Sequence, residues 1–185
     1  MEEWNSEFSE GCSVILIGMA GAGKSTLAPL LAEKLGWGHI DTDLVVEAYY
    51  GRPLQDIVDL LGVPDFRKAE DYILSSLGVV RTVVSTGGSV VYGPAAMERM
   101  KSLGPVIFLR IDKETCLARV GGGVGRGLAR MPGQTIEDLF MERMPLYEKY
   151  ADFVVDTDRF TPEECAGQVH RWLKSKEGKI PEDMR

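Results

Sequence analysis

Gly18-Met19-Ala20-Gly21-Ala22-Gly23-Lys24-Ser25-Thr26 is the stretch from which the rest of the chain can be read. Its first eight residues fit G-x-x-x-x-G-K-[ST], and the flanks are the ones this pattern needs. The apolar run Ser13-Val14-Ile15-Leu16-Ile17 precedes it and a helical pattern from Lys24 to Leu35 follows. A strand that enters a glycine turn and leaves as a helix makes a phosphate cradle. The glycines let the backbone wrap a polyphosphate with successive N–H groups facing inward, and the helix N-terminus adds about half a positive charge. Lys24 reaches the β- and γ-phosphates of a nucleotide, and the Ser25 hydroxyl can ligate Mg²⁺. ATP and Mg²⁺ are therefore the expected cofactors, with Gly21, Ala22, Gly23, Lys24, Ser25 and Thr26 as the binding residues. A chance Lys-Ser after a glycine turn would lack the flanking strand and helix.

Outward from the cradle the alternation recurs. Strand candidates lie at 39–40, 82–85, 106–111 and 153–156, with helical candidates at 42–50, 53–61, 65–77, 94–102, 113–120, 134–149 and 162–175. Strands alternating with helices read as βαβ units on a parallel sheet covered on both faces. The expected fold is α/β, a three-layer P-loop NTPase architecture with a five-stranded parallel sheet, helices on both faces and a mobile lid, all in one domain over residues 13–174. Residues 121–133, with six glycines and two arginines, are too flexible for an element and too basic for an idle linker in an acidic chain, so they are the expected lid. Residues 1–12 read as a flexible acidic tail and 175–185 as a frayed charged one.

Composition narrows the function. The chain has 185 residues and a formal net charge of −7, the wrong sign for a chain-wide nucleic-acid or anionic-membrane surface. No apolar stretch approaches the roughly 18 residues of a membrane span, and the polar start lacks the regions of a signal peptide. A cytoplasmic monomer acting on a small molecule is expected. Cys12, Cys116 and Cys165 are odd in number and widely spaced, against a disulfide framework or zinc site. His39 and His170 are the only histidines and neither sits in a nucleophile motif.

The cradle alone leaves GTPases, hydrolytic ATPases and kinases open. No Asn-Lys-x-Asp guanine reader occurs, and no apolar strand ends in an Asp-Glu pair. Instead, Asp41 and Asp43 stand two apart after the second strand candidate. In an extended segment that spacing puts both carboxylates on one side, one towards Mg²⁺ and one towards an acceptor hydroxyl. An Asp here can equally cap the helix that follows.

With these residues quoted, the chain resembles the shikimate kinase family from Val14 to about Leu173. Asp41-Thr42-Asp43-Leu44-Val45-Val46-Glu47 is similar to D-x-D-x-x-I-E, and Gly62 to Glu70 partly matches G-E-x-x-F-R-x-x-E. Gly87-Gly88-Ser89 partly matches a Gly-Gly-Gly turn, Arg126-Gly127-Leu128-Ala129 partly matches R-P-L-L, and Arg143-Met144-Pro145-Leu146-Tyr147 matches R-x-P-L-Y. The resemblance implies that Asp43 binds or deprotonates the acceptor hydroxyl and that Asp41 lies near the metal. It implies that Arg67 and Arg143 clamp a substrate carboxylate, that Glu70 orients Arg67 or touches substrate, and that Gly87 and Gly88 border the substrate. Arg119 would pack on adenine, and Arg126 would meet the transferred phosphate.

The departures cluster. Ser89 replaces the third glycine, Val63 the usual Glu, and Gly127 and Ala129 shrink the flap motif. These positions would enclose a ring, whereas the ATP apparatus and the carboxylate clamp remain. The expectation therefore places homoserine, a short amino acid of the threonine route, ahead of shikimate as the acceptor. A nucleotide kinase would need arginines around an acceptor phosphate, and a non-catalytic ATP-binding regulator would have no use for Asp43.

Overall fold

A computed structural model of the chain describes residues 12–121 and 128–176. Five short strands, β1 (Val14–Ile17), β2 (Gly38–Asp41), β3 (Thr82–Ser85), β4 (Val106–Arg110) and β5 (Phe153–Asp156), form one parallel sheet in the order β2-β3-β1-β4-β5. The residues of β1 are fully buried, as is most of β4, which is why both read as continuous apolar runs rather than alternating ones.

Among the described residues eight α-helices connect and cover the strands: α1 (Lys24–Leu35), α2 (Thr42–Tyr50), α3 (Leu54–Leu61), α4 (Val63–Ser75), α5 (Pro94–Leu103), α6 (Lys113–Gly121), α7 (Ile136–Tyr150) and α8 (Pro162–Lys176). Right-handed crossovers decide which face each takes. The step from β1 to β2 runs one way along the sheet, whereas those from β2 to β3, β3 to β4 and β4 to β5 run the other. Thus α1 lies on one face, joined by α8, and α4, α5 and α7 lie opposite. The direction reverses between β1 and β3, and the crevice beyond the carboxyl ends of strands at such a reversal is where open α/β sheets bind ligands.

The expected elements are present with shifted bounds and one addition. Helix α4 begins at Val63, not 65, because Pro64 sits in the first turn, where its missing N–H costs nothing. Helix α7 begins at Ile136, not 134, because Thr135 is its N-cap: the Thr135 hydroxyl accepts from Asp138 N and the Asp138 carboxylate accepts from Thr135 N. A 3₁₀ turn, Val90–Tyr92, follows β3 where no element was expected. Of the expected lid, residues 122–127, and with them Arg126, lie outside the described residues, as do 1–11 and 177–185 of the tails. Among the described residues no helix is long and apolar enough to cross a membrane, and no group of three His, Cys, Asp or Glu side chains could hold a metal. The three cysteines are free thiols.

Candidate active site

The cradle forms directly beyond β1. Gly18 takes φ 148° and its backbone passes so close to β4 that a Cβ would lie 2.6 Å from Leu109 O, while Gly23 caps α1 at φ 88°. Both conformations favour glycine, and no side chain fits at Gly18. Lys24 folds back over the loop, its Nζ donating to Gly18 O and Met19 O at 2.8 Å. Burial pushes the Lys24 pKa down to about 8, against the opposing pull of Asp43 and Asp41. Arg119, from α6, braces the loop by donating from Nη1 to Gly21 O at 2.9 Å.

The two aspartates divide the readings that the sequence left open. Asp41 ends β2 opposite Ser85 of β3. Its Oδ2 accepts from Ser85 Oγ at 2.9 Å and Ser25 Oγ at 3.2 Å, and its Oδ1 caps α2 by accepting from Asp43 N at 3.0 Å. Asp41 is therefore both the helix cap and the carboxylate beside Ser25. Asp43, two residues further on, lies instead beside Gly87.

Gly87 and Gly88 are the hub of the arrangement. A Cβ on Gly87 would lie 2.5 Å from Asp43 Oδ1 and 2.8 Å from Glu70 Oε1, and one on Gly88 would lie 2.8 Å from Arg143 Nη1 and 3.6 Å from Gly18 O. Two glycines thus let a carboxylate from α2, one from α4, a guanidinium from α7 and the cradle approach one turn of backbone. Thr42 Oγ1 fixes that turn by accepting from Gly87 N at 3.0 Å, and the Tyr147 hydroxyl donates to Gly88 O at 2.7 Å. Burial, with the Asp41 charge adding to it, raises the Asp43 pKa to about 6. Burial likewise raises Glu70 to about 7, against a stabilising hydrogen bond from Ser89.

Arg143 is 1% exposed, donating from Nη2 to Ala129 O at 3.0 Å and from Nε to the Tyr92 hydroxyl at 3.4 Å. Arg67 lies over the Tyr92 ring, with Nη1 3.9 Å from Glu142 Oε1. Its Nε and Nη2 are buried and, among the described residues, have no hydrogen-bond partner. An unpartnered buried guanidinium edge is costly unless an anion meets it. Of the two roles the resemblance allows Glu70, contact with substrate suits its position, since Arg67 is held by Tyr92 and Glu142.

Of the departures, Gly127 lies outside the described residues, and Ser89, Val63 and Ala129 displace none of these polar groups. Ser89 has φ −88° and ψ −12°, a conformation that needs no glycine, and its hydroxyl is engaged by Glu70. Val63 is buried in the first turn of α4 and lines a groove of about 640 Å³ with Val58, Leu128 and Met131 that includes none of the groups above. Ala129 meets Arg143 through its carbonyl, which any side chain would leave in place. Thr42, Ser85, Tyr92 and Glu142 were missed from sequence. Ser85 could have been found from the β2–β3 register, whereas Tyr92 carries no motif.

The profile of the family described as Shikimate kinase matches residues 20–174. The Shikimate kinase of Thermodesulfovibrio yellowstonii is 36% identical over 160 residues, covering 85% of this chain and 92% of that protein. The Shikimate kinase of Enterococcus faecalis is 35% identical over 165 residues, covering 88% and 98%. Among solved structures, shikimate kinase from Acinetobacter baumannii in complex with shikimate has a TM-score of 0.80 at 28% identity, covering 94% of this chain and 98% of that one. Deoxyadenosine kinase from M. mycoides, TM-score 0.55 at 18% identity, shares the fold alone.

Proposed function

Because the chain belongs to the shikimate kinase family, whose members are ATP-dependent small-molecule kinases using Mg²⁺, we propose that its acceptor is shikimate and its product shikimate 3-phosphate. The ordering that puts homoserine and the threonine route first finds no support among the relatives described above that are 28% or more identical, each of which carries the shikimate kinase name. Its physical ground is also weak: Val63 lines a separate groove, Ala129 meets Arg143 only through its backbone, and Ser89 adds a hydroxyl beside Glu70 without removing any group of the polar wall. The observation that carries the proposal is the pair of buried Arg67 nitrogens that have no hydrogen-bond partner among the described residues, on the Tyr92 ring that Arg143 also approaches.

The residues divide the work as follows. The backbone of the Gly21 to Thr26 loop at the start of α1 and the Lys24 ammonium would hold the polyphosphate and its developing charge. Ser25 and Asp41, already in contact, fit Mg²⁺, a hard cation that keeps most of its water and needs only one or two protein oxygens. That ion neutralises phosphate charge during transfer. Arg67 and Arg143 hold the acceptor's carboxylate, which fixes the ring so that one hydroxyl reaches Asp43. Asp43, kept near a pKa of about 6, orients that hydroxyl and accepts its proton. Glu70 and the Gly87-Gly88 backbone border the ring. Arg119 supports the nucleotide side, and Arg126 is assigned to the transferred phosphate on its motif position.

Parallel steady-state kinetics with shikimate and homoserine test the substrate. A kcat/KM for shikimate at least ~10-fold above that for homoserine is expected, equivalent to about 1.4 kcal/mol of transition-state discrimination. The reverse ranking would overturn the proposal.

A further inference from the structure

We propose that Tyr92 is a positioning residue that aims both arginines of the carboxylate clamp, an assignment that rests on the preceding reading of the acceptor as a carboxylate-bearing alcohol. The Arg67 guanidinium carbon lies 3.6 Å from the centroid of the Tyr92 ring, and that of Arg143 lies 5.4 Å away. The closer guanidinium is held against the face of the aromatic ring. A guanidinium held by its face keeps its N–H edges free, and these are the edges that a carboxylate needs for two parallel bonds. The buried, unpartnered Nε and Nη2 of Arg67 are those edges.

The hydroxyl of the same ring completes the bracket. It accepts from Arg143 Nε at 3.4 Å and is hydrogen-bonded to the Glu142 carboxylate, whose Oε1 is 3.9 Å from Arg67 Nη1. Glu142 Oε2 is in turn held by Gln134 Nε2 at 2.6 Å. One tyrosine therefore touches one arginine with its face and the other with its oxygen, and shares a carboxylate with the first. The ring is itself fixed by the 3₁₀ turn, in which Tyr92 N donates to Ser89 O at 3.0 Å, so the turn that carries Gly87 and Gly88 also carries the part that sets the clamp. An arginine that is already held loses less side-chain freedom when substrate arrives, and the benefit falls on binding of that substrate alone.

The test compares wild type, Tyr92→Phe and Tyr92→Leu in the full chain, with shikimate, its methyl ester and ATP each varied. Tyr92→Leu should raise the KM for shikimate ~10-fold while kcat and the KM for ATP stay within about twofold. Tyr92→Phe, which keeps the ring, should recover most of that loss. The penalty should disappear with the methyl ester, which offers no anion to the clamp. Both variants should melt somewhat below wild type, because each leaves the buried Arg143 Nε without the Tyr92 hydroxyl. Tyr92→Phe should share that loss without the KM penalty, which separates aim of the clamp from stability. The inference is overturned by a wild-type shikimate KM in Tyr92→Leu, by a loss that falls equally on ATP, or by the same penalty with the ester. If wild type itself does not turn over shikimate, the substrate reading falls first and takes this inference with it, a failure visible before any substitution is made.

Discussion

At the scale of single residues, the site depends on groups whose charge the fold makes conditional. Asp43 acts as a base only when ionised, and its pKa stands at about 6 with the neighbouring Glu70 at about 7. The two carboxylates flank Gly87, and the Asp43 charge adds to the burial that holds Glu70 up. Lys24 serves the phosphates only when protonated, and burial brings it down to about 8. The kcat/KM for ATP, which reports groups not yet covered by nucleotide, should therefore be bell-shaped. It should be lost as pH falls through about 6 to 7 and again as pH rises through about 8. Polyphosphate beside Lys24 favours the charged amine, so the alkaline limb of kcat should lie above that of kcat/KM. Rate measurements from pH 5 to pH 10 check this, and coincident alkaline limbs would remove Lys24 from the role given to it. Residue types at motif spacing made Lys24 and Asp43 legible in the sequence. Nothing in the sequence announced Tyr92 or Glu142, since the pairing of a 3₁₀ turn with α7 is a tertiary fact.

At the scale of elements, the turn after β3 decides how many groups can converge. Gly87 has no left-handed backbone angle, so an alanine there strains nothing in the chain itself, but its Cβ would meet both Asp43 and Glu70. Displacing a reacting group by about 1 Å is enough to lower the rate ~100-fold. Gly87→Ala should accordingly lose about two orders of magnitude in kcat while unfolding at nearly the wild-type temperature. Ser89→Gly should retain shikimate turnover within about threefold, because Ser89 sits in an ordinary helical conformation. Kinetics and melting on the two variants separate these outcomes, and a Gly87→Ala enzyme of normal kcat would show that the turn is not a hub. The same turn explains where sequence reading stopped. Three glycine-like positions read as one motif, yet only Gly87 and Gly88 have neighbours that exclude a side chain. Helix starts at Val63 and Ile136 were displaced for comparable local reasons, a proline tolerated in a first turn and a threonine acting as cap.

At the scale of the whole molecule, the parallel sheet was legible because its buried strands are unbroken apolar runs, and the cradle was legible because a phosphate dictates it. Substrate choice was not. Ser89, Val63, Gly127 and Ala129 stood out as departures from the family's motifs; Gly127 lies outside the described residues, and the fold sends the other three to Glu70, to a separate groove and to Arg143 through its backbone. The fold that gathers Asp43 and Glu70 into one buried turn also makes stability depend on pH. Glu70 rises from an ordinary 4.5 to about 7 on folding and Asp43 from 3.8 to about 6. Between those limits the folded protein binds more protons than the unfolded chain, so stability falls as pH rises. Their contribution is fully present below about pH 4, is withdrawn progressively, and is gone above about 7, a loss on the order of a few kcal/mol. Lys24 has the opposite effect at higher pH: folding lowers its pKa from 10.5 to about 8, so stability recovers as pH rises across that interval. Urea unfolding of wild type and Glu70→Gln at pH 5 and pH 8 isolates the carboxylate, because the variant keeps the shape and loses the titration. Wild type should lose more stability than Glu70→Gln between the two pH values. Parallel losses in the two proteins would mean that Glu70 is already ionised in the folded state at pH 5, and that the turn tolerates two charges that its burial argues against.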